Sequence, residues 1–234
     1  MSTLKCNVYP TAFVTFSDLV KKATTFNAAM DCTCSMILNV MFDPHAEPKY
    51  GAFKQAVFGF LDQPTFGTSN CVVIKKSFYI SPFSGKKILY DPLTQLKELT
   101  TEINCLRWGS ALMELVYDFV DEYIQKHGQP PIPIPRMSFV KNALAVTLAS
   151  EKTQEVFLLE ETIKDVGEDG FVKYIGNGSV VPFDFLDEEA AQKAEFLAFA
   201  QHVQYIETKG LAFIGDFQGK CSIVLRIQTL NMSI

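Results

Sequence analysis

Cys71-Val72-Val73-Ile74-Lys75-Lys76-Ser77-Phe78-Tyr79-Ile80 is a β-branched run that ends in aromatic residues, and the chain after it changes period between Leu93 and Lys126. The first stretch reads as a strand. In the second, Leu96, Leu99, Ile103, Leu106, Leu112, Leu115, Phe119, Val120 and Tyr123 recur at three- and four-residue steps, marking one apolar helical face. An unbroken helix here would run to about 50 Å, so a break is expected near Gly109. Upstream, residues 36–42 and Gly51 to Phe60 are two more strand candidates, and with 71–80 they predict an antiparallel sheet. Ser17 to Lys22 reads as the opening of a short helix.

Downstream, Gly128 ends the helix, and Pro130, Pro131, Pro133 and Pro135 impose an extended connector. Strands are expected at Ala143 to Leu148, Glu155 to Ile163 and Gly170 to Tyr174, with a turn at Gly176-Asn177-Gly178. Asp187, Glu188 and Glu189 complement the N-terminal dipole of a helix running to about Tyr205. Lys209-Gly210 then turns into a last strand, Leu211 to Phe217. The order predicts an α+β fold with two lobes.

A chain of 234 residues suffices for one large domain or two small lobes. Twenty phenylalanines against one tryptophan predict a core built largely on Phe. A net charge of −5 opposes a nucleic-acid partner, which calls for a basic stripe. Six cysteines (Cys6, Cys32, Cys34, Cys71, Cys105, Cys221) include no Cys-x-x-Cys pair, which is the usage of a reducing compartment. Met1 to Phe13 lacks the pattern of a signal peptide, and no apolar run approaches the roughly 20 residues that span a bilayer. The expectation is a soluble, cytoplasmic protein with no membrane partner.

Several charged residues stand at the ends of apolar elements. Lys75 or Lys76 lies on the 71–80 strand, Glu102 on the helix after it, Glu160 and Glu161 at the end of Val156-Phe157-Leu158-Leu159, and Asp216 ahead of Phe217-Gln218-Gly219. Singly, each reads as a solvated surface charge or a turn former. Together they supply what phosphoryl transfer requires: a cation for the phosphates, a carboxylate to aim it, and oxygens for magnesium.

At these residues the chain resembles the alpha-type (atypical) protein kinases, the family of the myosin heavy chain kinases and elongation factor 2 kinase. Phe199-Ala200-Gln201-His202-Val203-Gln204-Tyr205, followed by Lys209-Gly210 and Asp216-Phe217-Gln218-Gly219, resembles the family's helix-His, Thr-x-Gly turn and Asp-x-Gln-Gly strand. Phe171 to Gly178 is similar to its Phe-x-Lys-Tyr-Asn segment, with Ile175 and Gly176 in place of asparagines. Gly51-Ala52-Phe53-Lys54 and Val73-Ile74-Lys75 are similar to two small-lobe motifs. The likeness covers about residues 46–219.

The resemblance implies a two-lobed kinase fold with an incomplete large lobe. Residues 1–45 would be an extension carrying the first strand, 46–160 the small lobe, 165–219 the start of the large lobe and 220–234 a divergent tail. It implies ATP and Mg2+ as cofactors and a protein Ser or Thr hydroxyl as substrate. Lys75, or Lys76 in the alternative alignment, would bind phosphates, with Glu102 as carboxylate partner. Leu159, Glu160 and Glu161 would face adenine, and Asp216 with Gln218 would hold magnesium. His202 matches a zinc ligand of the family, but the later His-x-Cys cluster has no counterpart here.

After Gly219 the family continues into Leu-Thr-Asp-Pro, whereas residues 220–234 hold neither Asp nor Glu. An inactive nucleotide-binding or interaction module is therefore the alternative reading. A Leu codon ending in A for Leu225, then CGG, ATC and CAA for Arg226, Ile227 and Gln228, spells Thr-Asp-Pro-Asn in the neighbouring frame. A frameshift or misplaced splice junction is the expected origin of the tail. Sequencing the transcript checks it, and codons that cannot encode the shifted motif would remove the explanation.

Overall fold

The computed structural model describes residues 1–22, 35–163, 172–176, 179–219, 224–227 and 230–232, with side chains described as far as Gly219. Phe171, Asn177, Gly178, Cys32, Cys34 and Cys221, with much of the tail, lie outside the described residues. The elements in chain order are β1 (Ser2–Pro10), α1 (Phe16–Lys22), β2 (Met36–Phe42), β3 (Lys49–Tyr50), β4 (Lys54–Leu61), β5 (Cys71–Ile80) and β6 (Lys87–Leu89). There follow α2 (Pro92–His127), β7 (Ser138–Phe139), β8 (Asn142–Thr147), β9 (Val156–Glu161) and β10 (Val172–Ile175). The last are α3 (Glu188–Glu207), β11 (Ala212–Ile214), β12 (Phe217–Gly219), β13 (Val224–Ile227) and β14 (Leu230–Met232).

Two compact units result. The first comprises Met1–Ala12, Thr25–Asn104 and Lys141–Thr162, and the second Phe13–Thr24, Cys105–Val140 and Ile163–Ile234. The boundaries expected from sequence cut across them. β1, which sequence reading missed, lies inside the first unit's sheet, and β2 pairs with it.

In the first unit β4 pairs with β2, β2 with β1, β1 with β8, β8 with β9, β9 with β5, and β5 returns to β4. All six pairings are antiparallel, so the strands close a ring and satisfy the backbone donors and acceptors that an open edge would leave unpaired. Alternation along each strand sends one set of side chains inward. Val40, Leu61, Val72, Ile74, Phe157 and Leu159 fill that interior. The outer face of β8 and β9 carries Leu144, Val156 and Leu158, packed with Leu99 and Ile103 of α2. The α2 N-terminus is fixed by Asp91, whose carboxylate accepts from the Leu93 and Thr94 N–H groups at 3.0 and 3.1 Å. The Thr94 hydroxyl bond first, then these backbone bonds, hold the Asp91 carboxyl below its ordinary pKa.

The second unit has its own core, including Leu112, Val116, Tyr174, Leu197, Ala200 and Phe217. Its larger sheet runs β10-β12-β13-β7, and β11 pairs with β14.

Four expectations are corrected. Gly109 does not break α2, which runs 36 residues, about 54 Å. Its cost of about 1 kcal/mol is offset by the burial of Leu106, Leu112 and Met113 around it. Gly51 to Phe53 is a turn and not strand, closed by the Gly51 N–H to the Lys54 carbonyl at 2.8 Å. The last strand is split at Gly215 and Asp216 into β11 and β12. The core is mainly aliphatic: among described residues only Phe78, Phe139, Phe157, Phe196 and Phe217 are buried, while Phe53, Phe58 and Phe83 are among those exposed.

Gly59 is where β4 leaves β5 for β2, facing both Val72 and Phe42. A Cβ there would lie 2.5 Å from Ile74 Cδ1 and 2.8 Å from the Met41 carbonyl oxygen. Gly59→Ala is expected to cost about 1–3 kcal/mol. Gly51→Ala, whose Cβ would meet only the Lys54 oxygen at 3.6 Å, should stay within about 0.5 kcal/mol. Urea titration of both variants checks the difference.

Candidate active site

Alternation on β5 separates the two candidate lysines. Val72 and Ile74 point into the ring, so Lys76 follows them, lying over the Phe157 ring at 4.8 Å and pairing with Glu155. Lys75 points the other way and is nearly buried, with its Nζ 2.6 Å from Glu160 Oε1. β5 lies against β9 with Val73 opposite Glu160 and Lys75 opposite Leu158, so the ion pair is a diagonal cross-strand contact.

Lys75 therefore takes its carboxylate from Glu160 and not from Glu102. Glu102 pairs with Lys54 at 2.6 Å. The cause is geometric: two adjacent strands bring Glu160 within reach, while Lys54, opposite Ser77 on β4, meets the α2 carboxylate first. Gln95 strengthens that arrangement by bonding both backbone groups of Ser77, at 2.9 and 2.6 Å.

The expected trio at the end of β9 is also divided by alternation. Leu159 is fully buried inside the ring, and Glu161 accepts the Lys141 N–H at 2.7 Å. Only Glu160 reaches the Lys75 face. On that face β4 places Ala56 opposite Lys75 and Phe58 opposite Val73. Phe58 is 62% exposed, so an open apolar surface adjoins the buried pair.

In the second unit Asp216 follows β11 directly. Gln201 and Gln204 of α3 hold that strand: the Gln201 amide donates to the Ile214 carbonyl at 2.7 Å and Gln204 Oε1 accepts the Ile214 N–H at 2.9 Å. The Thr208 hydroxyl bonds both backbone groups of Ala212, at 3.0 and 3.1 Å. Asp216 is 1% exposed, and its Oδ2 lies 3.4 Å from Lys173 Nζ. Its Oδ1 is buried without a hydrogen-bond partner, which fits an oxygen reserved for a cation. Gln218 stands opposite Lys173 across the β10–β12 pairing, beside a register shift between Lys173 and Ile175. Lys173, Asp216 and Gln218 are thus brought together.

Sequence reading assigned no role to Lys173, Gln201 or Gln204. Two glutamines three residues apart on an otherwise apolar helical face were the available signal. His202, next to the buried Gln201, is exposed, and among the described residues no group of three or more His, Cys, Asp or Glu could hold a metal. The described side chains do not fit the family's zinc site.

The alpha-kinase family model matches residues 49–231. The chain belongs to the alpha-kinase family. It is by class an atypical protein kinase, and the match continues past Gly219, where the motif-by-motif likeness stops. No curated protein sequence matches it. Among solved structures it is similar to the catalytic domain of a myosin heavy chain kinase A mutant, at 12% identity and a TM-score of 0.54. That likeness covers 99% of this chain and 84% of the other, and at such identity it speaks for the shared α+β fold. No helix among the described residues is long and apolar enough to cross a membrane.

The two ion pairs of the first unit differ in burial, and this predicts different costs. Lys75 and Glu160 side chains are 10% and 2% exposed, Lys54 and Glu102 24% and 23%. Glu160→Gln removes the carboxylate charge held against a buried ammonium and should cost about 3 kcal/mol or more. Glu102→Gln should cost about 1 kcal/mol or less. Denaturant melts of the two variants test the ranking, and equal losses would contradict it.

Proposed function

We propose that this alpha-kinase is an ATP-dependent serine/threonine kinase of the cytoplasm, moving the γ-phosphoryl group of ATP to a hydroxyl on a protein. The observation that carries the reading is the buried Lys75–Glu160 pair beside the open face of Ala56, Phe58 and Val73. A lysine held by a buried carboxylate presents a fixed cation to phosphate oxygens, and an apolar sheet face accepts a planar base. Asp216 and Gln218 would hold Mg2+, which when bound screens the phosphate charge. The substrate oxygen would attack the γ-phosphorus as its bond to ADP breaks and the hydroxyl proton is released. With little covalent chemistry asked of the protein, positioning by Lys75, Asp216 and Gln218 is the main contribution.

A second reading, a nucleotide-binding module without transfer, is favoured by one observation: residues 217–234, directly after Asp216, contain neither Asp nor Glu. A thermal melt with and without magnesium–ATP, joined to a phosphate-transfer assay, separates the two. At a hundredfold excess over Kd, selective binding to the folded chain stabilises by about 2.7 kcal/mol. An upward shift that disappears in Lys75→Ala, with transfer to a test protein, is the expected result. A shift without transfer selects the second reading, and a folded chain with no shift removes both.

A further inference from the structure

The β5–β6 hairpin combines basic and exposed apolar residues. Between Asp62 and Asp91 the chain holds four lysines and no acidic residue, within a protein of net charge −5. Lys75 and Lys76 are ion-paired with Glu160 and Glu155; Lys86 ends the turn and Lys87 opens β6, where Ile80 pairs with Lys87 and Tyr79 with Ile88. Phe83, at the tip, is 99% exposed and Ile80 is 60% exposed.

The tip is held in shape. The Ser81 N–H donates to the Lys86 carbonyl at 2.8 Å, the Gly85 N–H to the Ser81 carbonyl at 2.9 Å, and the Ser84 N–H to the Ser81 hydroxyl at 3.3 Å. Gly85 adopts φ +65, a left-handed conformation that glycine takes without strain. Behind the tip, Lys87 Nζ lies over the Tyr50 ring at 3.8 Å and the Phe78 ring at 5.2 Å, which fixes one ammonium in place. Tyr79 packs against Tyr90 at 5.2 Å.

We propose that this hairpin docks on an anionic membrane surface, with Phe83 and Ile80 entering the interfacial layer and Lys86 and Lys87 engaging lipid headgroups. Full exposure at a convex turn gives Phe83 no groove in which to receive a peptide, but it suits a soft, planar apolar boundary. Amphipathic tyrosines behind it sit at the depth where such rings are favoured. Lys86 at the turn and the exposed Lys87 just behind it supply attraction to a negative leaflet within a Debye length of its surface. Hydropathy led to the expectation of no membrane partner because it reports spanning segments; surface docking leaves no long apolar run.

The test is flotation of the whole chain with phosphatidylcholine vesicles, with and without phosphatidylserine, at low and high salt. Binding is expected only with phosphatidylserine and to weaken with salt. Phe83→Ser and the double change Lys86→Glu with Lys87→Glu should each reduce it by about tenfold or more, with circular dichroism melts confirming that the exposed-tip variants stay folded. Absence of phosphatidylserine-dependent flotation overturns the proposal. So does flotation unchanged in Phe83→Ser, and poly-glutamate binding in its place would point to an acidic peptide.

Discussion

Closure of the six-stranded ring is the constraint on which the first unit depends. Once β5 is bonded to β4 on one side and β9 on the other, every side chain on it is assigned to the interior or the outside. A shift of one residue would move the whole apolar set to the wrong face. That makes Lys75 an outward residue and Lys76 an inward one, and it sets Glu160 diagonal to Lys75. Gly59 permits the closure, since the approach of Ile74 and the Met41 carbonyl leaves no room for a side chain. Cys6 records how dry the interior is: burial, with smaller contributions from Glu151 and Glu155, pushes its thiol up to about 12, so it packs as an inert apolar group.

The second unit reaches the same end, a buried charged group in a fixed place, by a different route. Asp216 lies where one strand ends and another begins, with no long ladder to hold it. Its position comes from side-chain amides and a hydroxyl: Gln201 and Gln204 grip Ile214, and Thr208 grips Ala212. Such bonds are short-range and directional, which suits a carboxylate with one oxygen beside Lys173 and the other unpaired. Leaving a buried carboxylate oxygen unsatisfied is costly in itself, and a bound cation would offset that cost.

Period and turn chemistry made much of the architecture legible. The strands at 36–42 and 71–80, the helix following Asp187 and the turn at Lys209-Gly210 were all readable, because each rests on local spacing or a local backbone preference. β1 was missed although Leu4, Cys6 and Val8, which pack into the ring interior, alternate with Lys5 and Asn7, the period-2 signal of a strand with one buried face. The break near Gly109 was expected from the length of an unbroken helix, which burial along α2 sustains. The Phe-rich core was inferred from composition, which counts side chains without saying which face they occupy.

The sequence by itself determined the α+β class, the order of elements and, through motifs such as Asp216-Phe217-Gln218-Gly219, membership of the alpha-kinase family. These depend on residue type and spacing along the chain. Only the tertiary structure decided that Lys75 pairs with Glu160 and Glu102 with Lys54, that Leu159 is core, and that Lys173 stands beside Asp216. Partner choice among charges 43 to 85 residues apart follows from strand register and the direction in which each side chain leaves the sheet. Neither quantity exists until the strands have paired.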